Sequence, residues 1–211
     1  MINADLSLRE IKKAKTKLAL YEAGMSLIGD RMFHEIMVDD ICRQAEVSKV
    51  TFFKLYPKKE DLLIYYMRVW LTEQIIAIDR AGLRGFEVVR HLLQGVARES
   101  AHRPGMMPSL ISFLSEMKMH PRMPELSEAE VRLLFPGQEE QGRVSPNLFL
   151  VFLHAMQEAE QEGKLRTEVT VDEAVKVLFT IFYGSFLTAQ QFASADIYGF
   201  YELHLRLIER S

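Results

Sequence analysis

Lys49, Val50, Thr51, Phe53 and Lys54 stand close together in the chain, and their chemistry is complementary to duplex DNA. The two ammonium groups suit phosphate oxygens, and the Thr51 hydroxyl can bond a phosphate or a base edge. Val50 and Phe53 offer apolar surface that fits thymine methyls. Tyr56 and Lys59 extend the set. These side chains act together only if a helix carries them on one outward face, and a major groove roughly 12 Å wide admits a helix. Apolar periodicity at Val38, Ile41 and Ala45 predicts a short helix over 38–45. Ser48 is placed to cap a second over 49–56, and Pro57 follows it. Two short helices so close together fit a helix-turn-helix. Spacing alone is a weak signal, because an ordinary helical core also contains such pairs, with Phe52 as core and Phe53 and Tyr56 suited to either face.

Other chemistries find little footing. The six histidines show no pairing at i, i+4 and no neighbouring cysteine, so no metal site is expected. Glu158 and Glu162 share a helix face, as solvated carboxylates commonly do, and no phosphate-cradling glycine loop or nucleophile elbow occurs. Neither an enzyme nor a cofactor is implied. Cys42 is the single cysteine, which suits a small buried hydrophobe and a reducing cytoplasm. No charge lies between Lys176 and Asp196, but Thr180, Gly184, Ser185, Thr188, Gln190 and Gln191 interrupt that run, which predicts a buried helix and no membrane partner. Lys12, Lys13, Lys15 and Lys17 precede no apolar segment, so no signal peptide is read and a cytoplasmic location is expected. That cluster suits phosphate contact or an ordinary solvated face.

These residues must be positioned by an all-α chain. Hydrophobic residues make up 48% and charged residues 26% of the 211, with a formal net charge of −3. Residues 1–60 carry 11 Lys/Arg against 9 Asp/Glu, and the remainder carries the acidic excess. This supports a DNA-binding N-terminus only modestly. Helical spacing predicts a first helix over 8–28 and a long fourth helix over 59–78. Further helices are expected at 86–101, 108–119, 126–135, 147–161, 171–191 and 197–208. Pro104-Gly105, Pro121, Pro124, Pro136-Gly137, Pro146 and Gly163 punctuate them, and Gly137–Ser145 is expected to be a flexible loop. The expected organisation is a three-helix helix-turn-helix domain at 1–60, a connecting helix at 61–79, and a helical effector-binding and dimerisation domain at 80–211.

The run from Ile41 through Ala45-Glu46-Val47-Ser48-Lys49-Val50-Thr51-Phe52-Phe53 to Lys59-Glu60-Asp61-Leu62-Leu63 closely resembles the signature of the tetracycline-repressor (TetR) family. That signature has an Ile-Ala pair, an Ala-Gly-Val-Ser turn, a Gly-Thr-x-Tyr recognition helix, an aromatic, then Lys-Glu and Leu. The resemblance covers about residues 18–65. It implies a dimeric regulator that places two recognition helices in successive major grooves of an operator and releases them when a small molecule binds. It also implies Lys59 as a phosphate contact. Several residues depart from the signature. Glu46 replaces the turn Gly, Val50 the small Gly, Phe53 the Tyr, and Met37 a capping Thr or Ser.

The C-terminal part carries a dense set of Met and aromatic residues. Phe113, Met117, Phe149, Phe152, Met156 and Tyr183 are expected to line an apolar effector cavity, with His154 and Tyr183 as polar anchors. An ordinary packed core accommodates the same stripe, and the regulator is then controlled by abundance or a protein partner. A further alternative is a helical interaction protein that has lost DNA affinity. The helices at 171–191 and 197–208 each carry two apolar stripes, which predicts burial on both sides and a homodimer through a four-helix bundle, Ile181 facing the partner.

Overall fold

The computed structural model describes residues 6–29, 31–119 and 122–210. These form α1 (Leu8–Ser26), α2 (Val38–Gln44), α3 (Lys49–Leu55), α4 (Asp61–Ala81), α5 (Phe86–His102), α6 (Met106–Glu116), α7 (Glu128–Leu134), α8 (Glu139–Arg143), α9 (Leu148–Gln161), α10 (Val171–Gln191) and α11 (Ile197–Leu205). Among the described residues there is no sheet; a single antiparallel bridge joins Leu165 to Glu209. The all-α class is as expected, and the predicted helix ends agree to within a few residues. Pro121 lies outside the described residues.

Helix starts are set by local hydrogen bonding. Ser7, Ser127 and Thr170 each form a capping box with a glutamate three residues on, pairing amide groups that the first turn would otherwise leave unsatisfied.

Packing divides the chain into two units, Met1–Ile76 with Arg103–Pro146, and Ala77–His102 with Asn147–Ser211. The segment 103–146, expected with the C-terminal domain, packs instead with the N-terminal helices. Its links are specific. The Phe33 amide donates to Ser109 Oγ at 2.8 Å and the Gly105 amide to the Gly29 carbonyl at 2.9 Å. Lys17 Nζ on α1 meets Glu130 Oε1 on α7 at 2.7 Å, and Tyr65 on α4 donates its hydroxyl to the same carboxylate oxygen at 2.8 Å.

The expected loop at 137–145 contains α8 instead. Gly142 allows this close approach: a Cβ there would stand 2.6 Å from Phe135 Cδ2. Arg143 holds α8 to Glu128, and Arg68 Nη2 donates to the Gly142 carbonyl at 2.7 Å. Arg68 is 1% exposed, and its Nη1 bonds Thr72.

In the second unit α9, α10 and α11 pack together, with α5 against α9 and α11. Arg90 on α5 is held by Glu202 and Glu209, and the Gly85 amide donates to Glu158. No helix among the described residues is long and apolar enough to cross a membrane.

Candidate nucleic-acid interface

The helix-turn-helix is built from α2, the turn Ala45–Ser48 and α3. Ser48 Oγ accepts from the Thr51 amide at 3.2 Å and caps α3, as its position predicted. Met37 caps α2 with no side-chain hydrogen bond. At the other end of α2 the Val47 amide donates to the Cys42 carbonyl at 2.9 Å and the Glu46 amide to the Arg43 carbonyl at 3.3 Å. This pair of bonds is the Schellman arrangement, whose closing residue takes a left-handed conformation. Glu46 occupies it, with φ of 54°. The departure from glycine therefore keeps the turn, at the cost of backbone strain.

The face that α3 presents is defined by what its neighbours bury. Phe52 is fully buried and makes edge contacts with Phe53 and a tilted contact with Tyr56. Val50 is 67% and Phe53 44% exposed. Lys49 and Lys54 are exposed, and Thr51 is half-buried. These five expected residues are thus carried on one short helix, with Val50, Phe53 and the two lysines reaching solvent.

Their polar groups are not equally available. Lys49 Nζ pairs with Asp39 Oδ1 at 2.9 Å, and that hydrogen bond and charge hold its ammonium above the ordinary lysine range. Thr51 Oγ1 lies 2.9 Å from Ser48 Oγ. Arg43, exposed at the end of α2, pairs with Asp40 at 3.1 Å.

Two expected contacts are corrected. Tyr56 is 2% exposed, and its hydroxyl donates to the Lys17 carbonyl at 3.1 Å. Burial first, then the Glu130 charge, push its phenol far above the ordinary range. It is a core residue of the head because α1 and α4 close over it.

Lys59 donates to the carbonyls of Phe33, His34 and Ile36 at 3.0, 3.2 and 3.0 Å and lies over the Phe33 ring. An ammonium has three donors, and all three are engaged. Burial lowers its pKa. Lys59 thus braces the Phe33–Glu35 turn and is not a free phosphate contact. Of the basic cluster on α1, Lys12, Lys13 and Lys15 are exposed, whereas Lys17 is turned inward onto Glu130 and the rings of Tyr56 and Tyr65.

Sequence reasoning missed the partners that set these roles. Asp39 neutralises Lys49, and Glu130 pairs with Lys17 from more than a hundred residues away. The capping box Ser127–Glu130 was legible as a motif; its second role was not, because periodicity carries no information about pairing between distant helices.

The expected cavity residues are shared between the two units. Phe113 and Met117 belong to the first unit, and Phe149, Phe152, His154, Met156 and Tyr183 to the second. Phe113 lines a cleft of about 70 Å³ with Met32, Phe33, Leu63, Ser109 and Glu116, well below the roughly 300 Å³ of a small-molecule pocket. Phe152 and Met156 are fully buried; Phe152 meets the ring of Phe179 at 5.3 Å and that of Phe182 at 6.2 Å. Tyr183 is half-buried, and Met117, Phe149 and His154 are exposed.

A capped, exposed second helix on a three-helix head defines a helix-turn-helix DNA-binding protein. Residues 20–66 match the family model described as bacterial regulatory proteins, tetR family. The HTH-type transcriptional regulator YwcC of Bacillus subtilis is 34% identical over 58 residues, a match spanning 28% of this chain and 26% of that one. The fold extends the likeness along the chain. NemR of E. coli in its reduced form superposes with a TM-score of 0.56 at 16% identity, over 92% of this chain and 98% of that one. A tetR family transcription regulator from Shewanella sp. PV-4 gives 0.50 at 17%, over 93% and 99%.

Proposed function

We propose that this chain is a homodimeric repressor that binds an operator through α3 and is released by a small apolar or amphipathic molecule bound in its C-terminal half. The observation that carries the DNA-binding part is the outward face of α3, where Lys49, Val50, Phe53 and Lys54 stand exposed on a capped helix within the family-matched segment. Binding should show the salt dependence of a phosphate-contacting protein, with a log–log slope of roughly −0.9 for each phosphate neutralised. A retardation or anisotropy titration at several salt concentrations tests it; a chain that retains no duplex at low salt defeats the proposal.

The dimer is supported by the outer face of the second unit. Leu187 on α10, Leu203 on α11 and Leu207 beyond it are each at least half exposed, and the exposed Phe192 ring lies 6.1 Å from that of Phe200. Exposed apolar patches of this kind mark association surfaces. Ile181, expected to face a partner, is instead buried within the unit, as are Ser185 and Ala189. The small residues let α11 approach α10, and the partner face moves to Thr180, Gly184, Leu187, Leu203 and Leu207. Sedimentation tests the dimer.

A second arrangement, a regulator controlled without a small molecule, is favoured by the ring contacts of Phe152 with Phe179 and Phe182 and by the full burial of Met156. Thermal-shift screening separates the two: no ligand-dependent rise in melting temperature supports the filled core.

A further inference from the structure

On and beside α3, exposed apolar groups stand near polar groups most of which are already engaged. Lys49 is held on Asp39, the Thr51 hydroxyl on Ser48, the Tyr56 hydroxyl on the Lys17 carbonyl and the Lys59 ammonium on three carbonyls. Apart from the exposed Lys54 ammonium, what reaches outward without a partner of this kind is the isopropyl group of Val50 and the ring of Phe53. They stand three residues apart on a helix, hence on one face.

In the major groove, hydrogen-bonding side chains distinguish guanine, adenine and cytosine by donor and acceptor pattern. The C5-methyl of thymine is the one base-edge feature that an apolar side chain reads. We propose that Val50 and Phe53 are the specificity-determining residues of this protein and that they select thymine methyl groups, so that each half-site is defined by thymines at two nearby positions. Lys54 and the backbone then supply affinity without sequence choice.

The inference rests on α3 entering the major groove, and it makes a demand that groove entry alone does not. Removing the methyl groups while leaving every base pair and hydrogen bond intact must weaken binding. Deoxyuridine in place of thymidine does this. Burying one methyl-sized group is worth about fourfold in affinity; two contacts in each of two half-sites compound this to well beyond tenfold.

The test uses the full chain and duplexes that it selects from a random-sequence library. The selected pool is amplified once with dTTP and once with dUTP, and both are titrated by fluorescence anisotropy at one salt concentration. The selected sequences are expected to be enriched in thymine at two positions per half-site. The deoxyuridine pool should bind at least about tenfold more weakly. Val50→Ala and Phe53→Ala should each reduce that ratio, and the double variant should bring it near one. Both side chains are exposed, so the variants should melt as the parent does, which a thermal scan checks.

Equal affinity for the two pools, with salt-dependent binding retained, overturns thymine-methyl selection and leaves DNA binding standing. A ratio that persists in the double variant also overturns it, because the duplex's shape and not its methyl groups is then being sensed. Failure to retain any duplex overturns the DNA-binding proposal itself.

Discussion

Both ends of the chain expose apolar side chains on helices, and the surroundings give them opposite meanings. On α3, Val50 and Phe53 stand among Lys49, Lys54, Ser48 and Thr51. On α10, α11 and just beyond, Leu187, Leu203 and Leu207 stand among Thr180, Gly184 and Gln191, with Arg206 as the nearest exposed charge in sequence. The first setting suits a polyanion that also carries methyl groups. The second suits another copy of the same surface. An exposed leucine or valine is therefore not informative by itself; the charges around it decide which partner it fits.

The largest effect should come from the second surface. Leu203→Asp combined with Leu207→Asp is expected to leave a folded monomer at micromolar concentration in sedimentation, since an apolar interface does not accommodate unpaired charges. Ile181→Asp should instead unfold the unit, because Ile181 is 3% exposed inside it. If Ile181→Asp dissociated the protein and left it folded, the partner face would have to be reassigned.

Next in size is the buried pair that ties α7 to the head. Lys17→Ala strands the Glu130 carboxylate, and removing one partner of a buried ion pair costs about 3–5 kcal/mol, measurable by urea denaturation. Burial raises the Glu130 carboxyl, but Lys17, the Ser127 hydroxyl and Tyr65 together hold it below its ordinary value. A carboxyl lowered in the folded state stabilises it fully above the unfolded pKa, about 4.3. That stabilisation is lost as pH falls through the folded value. Glu130→Gln should therefore flatten the stability profile on the acid side of pH 5 and leave its slope at neutral pH unchanged.

A smaller effect separates the two lysines that the sequence places together. Lys59→Ala should lower stability by about 1–3 kcal/mol, the cost of leaving buried carbonyls unpaired, and leave the salt slope of DNA binding unchanged. Lys54→Ala should do the reverse, flattening that slope by about one unit if it neutralises a phosphate. A flattened slope in Lys59→Ala would restore it as a DNA contact.

The smallest expected change is Glu46→Gly. Relief of the left-handed backbone at φ of 54° should stabilise the head by about 0.5–1 kcal/mol, since a non-glycine residue there carries a penalty of roughly 1–2 kcal/mol partly offset by glycine's greater entropy loss. Removing a carboxylate beside the turn should also raise DNA affinity.

Much of the reading head was legible because its determinants are local. The Ser48 cap, the closing of α2, the inward Phe52 and the span of α3 follow from residues a few positions apart, and helical period and capping act over that range. The helices beyond residue 86 were legible for the same reason. So was the all-α class, since apolar spacing at three and four residues recurs almost throughout.

What tertiary structure decided was the destination of each side chain that two settings could accommodate. Tyr56 and Lys59 lie in the family-like run and look like surface residues of it. α1 and α4 bury the first, and the carbonyls of the Phe33–Glu35 turn capture the second. Likewise, the two apolar stripes of α10 were visible as stripes, but only the packing of α11 showed that Ile181, Ser185 and Ala189 belong to the inner one. The placement of residues 103–146 with the head depends on Lys17 meeting Glu130 and on Arg68 reaching the Gly142 carbonyl. Contacts of such separation leave no periodic trace in a sequence, because each end satisfies its own helix pattern whether or not the other is there.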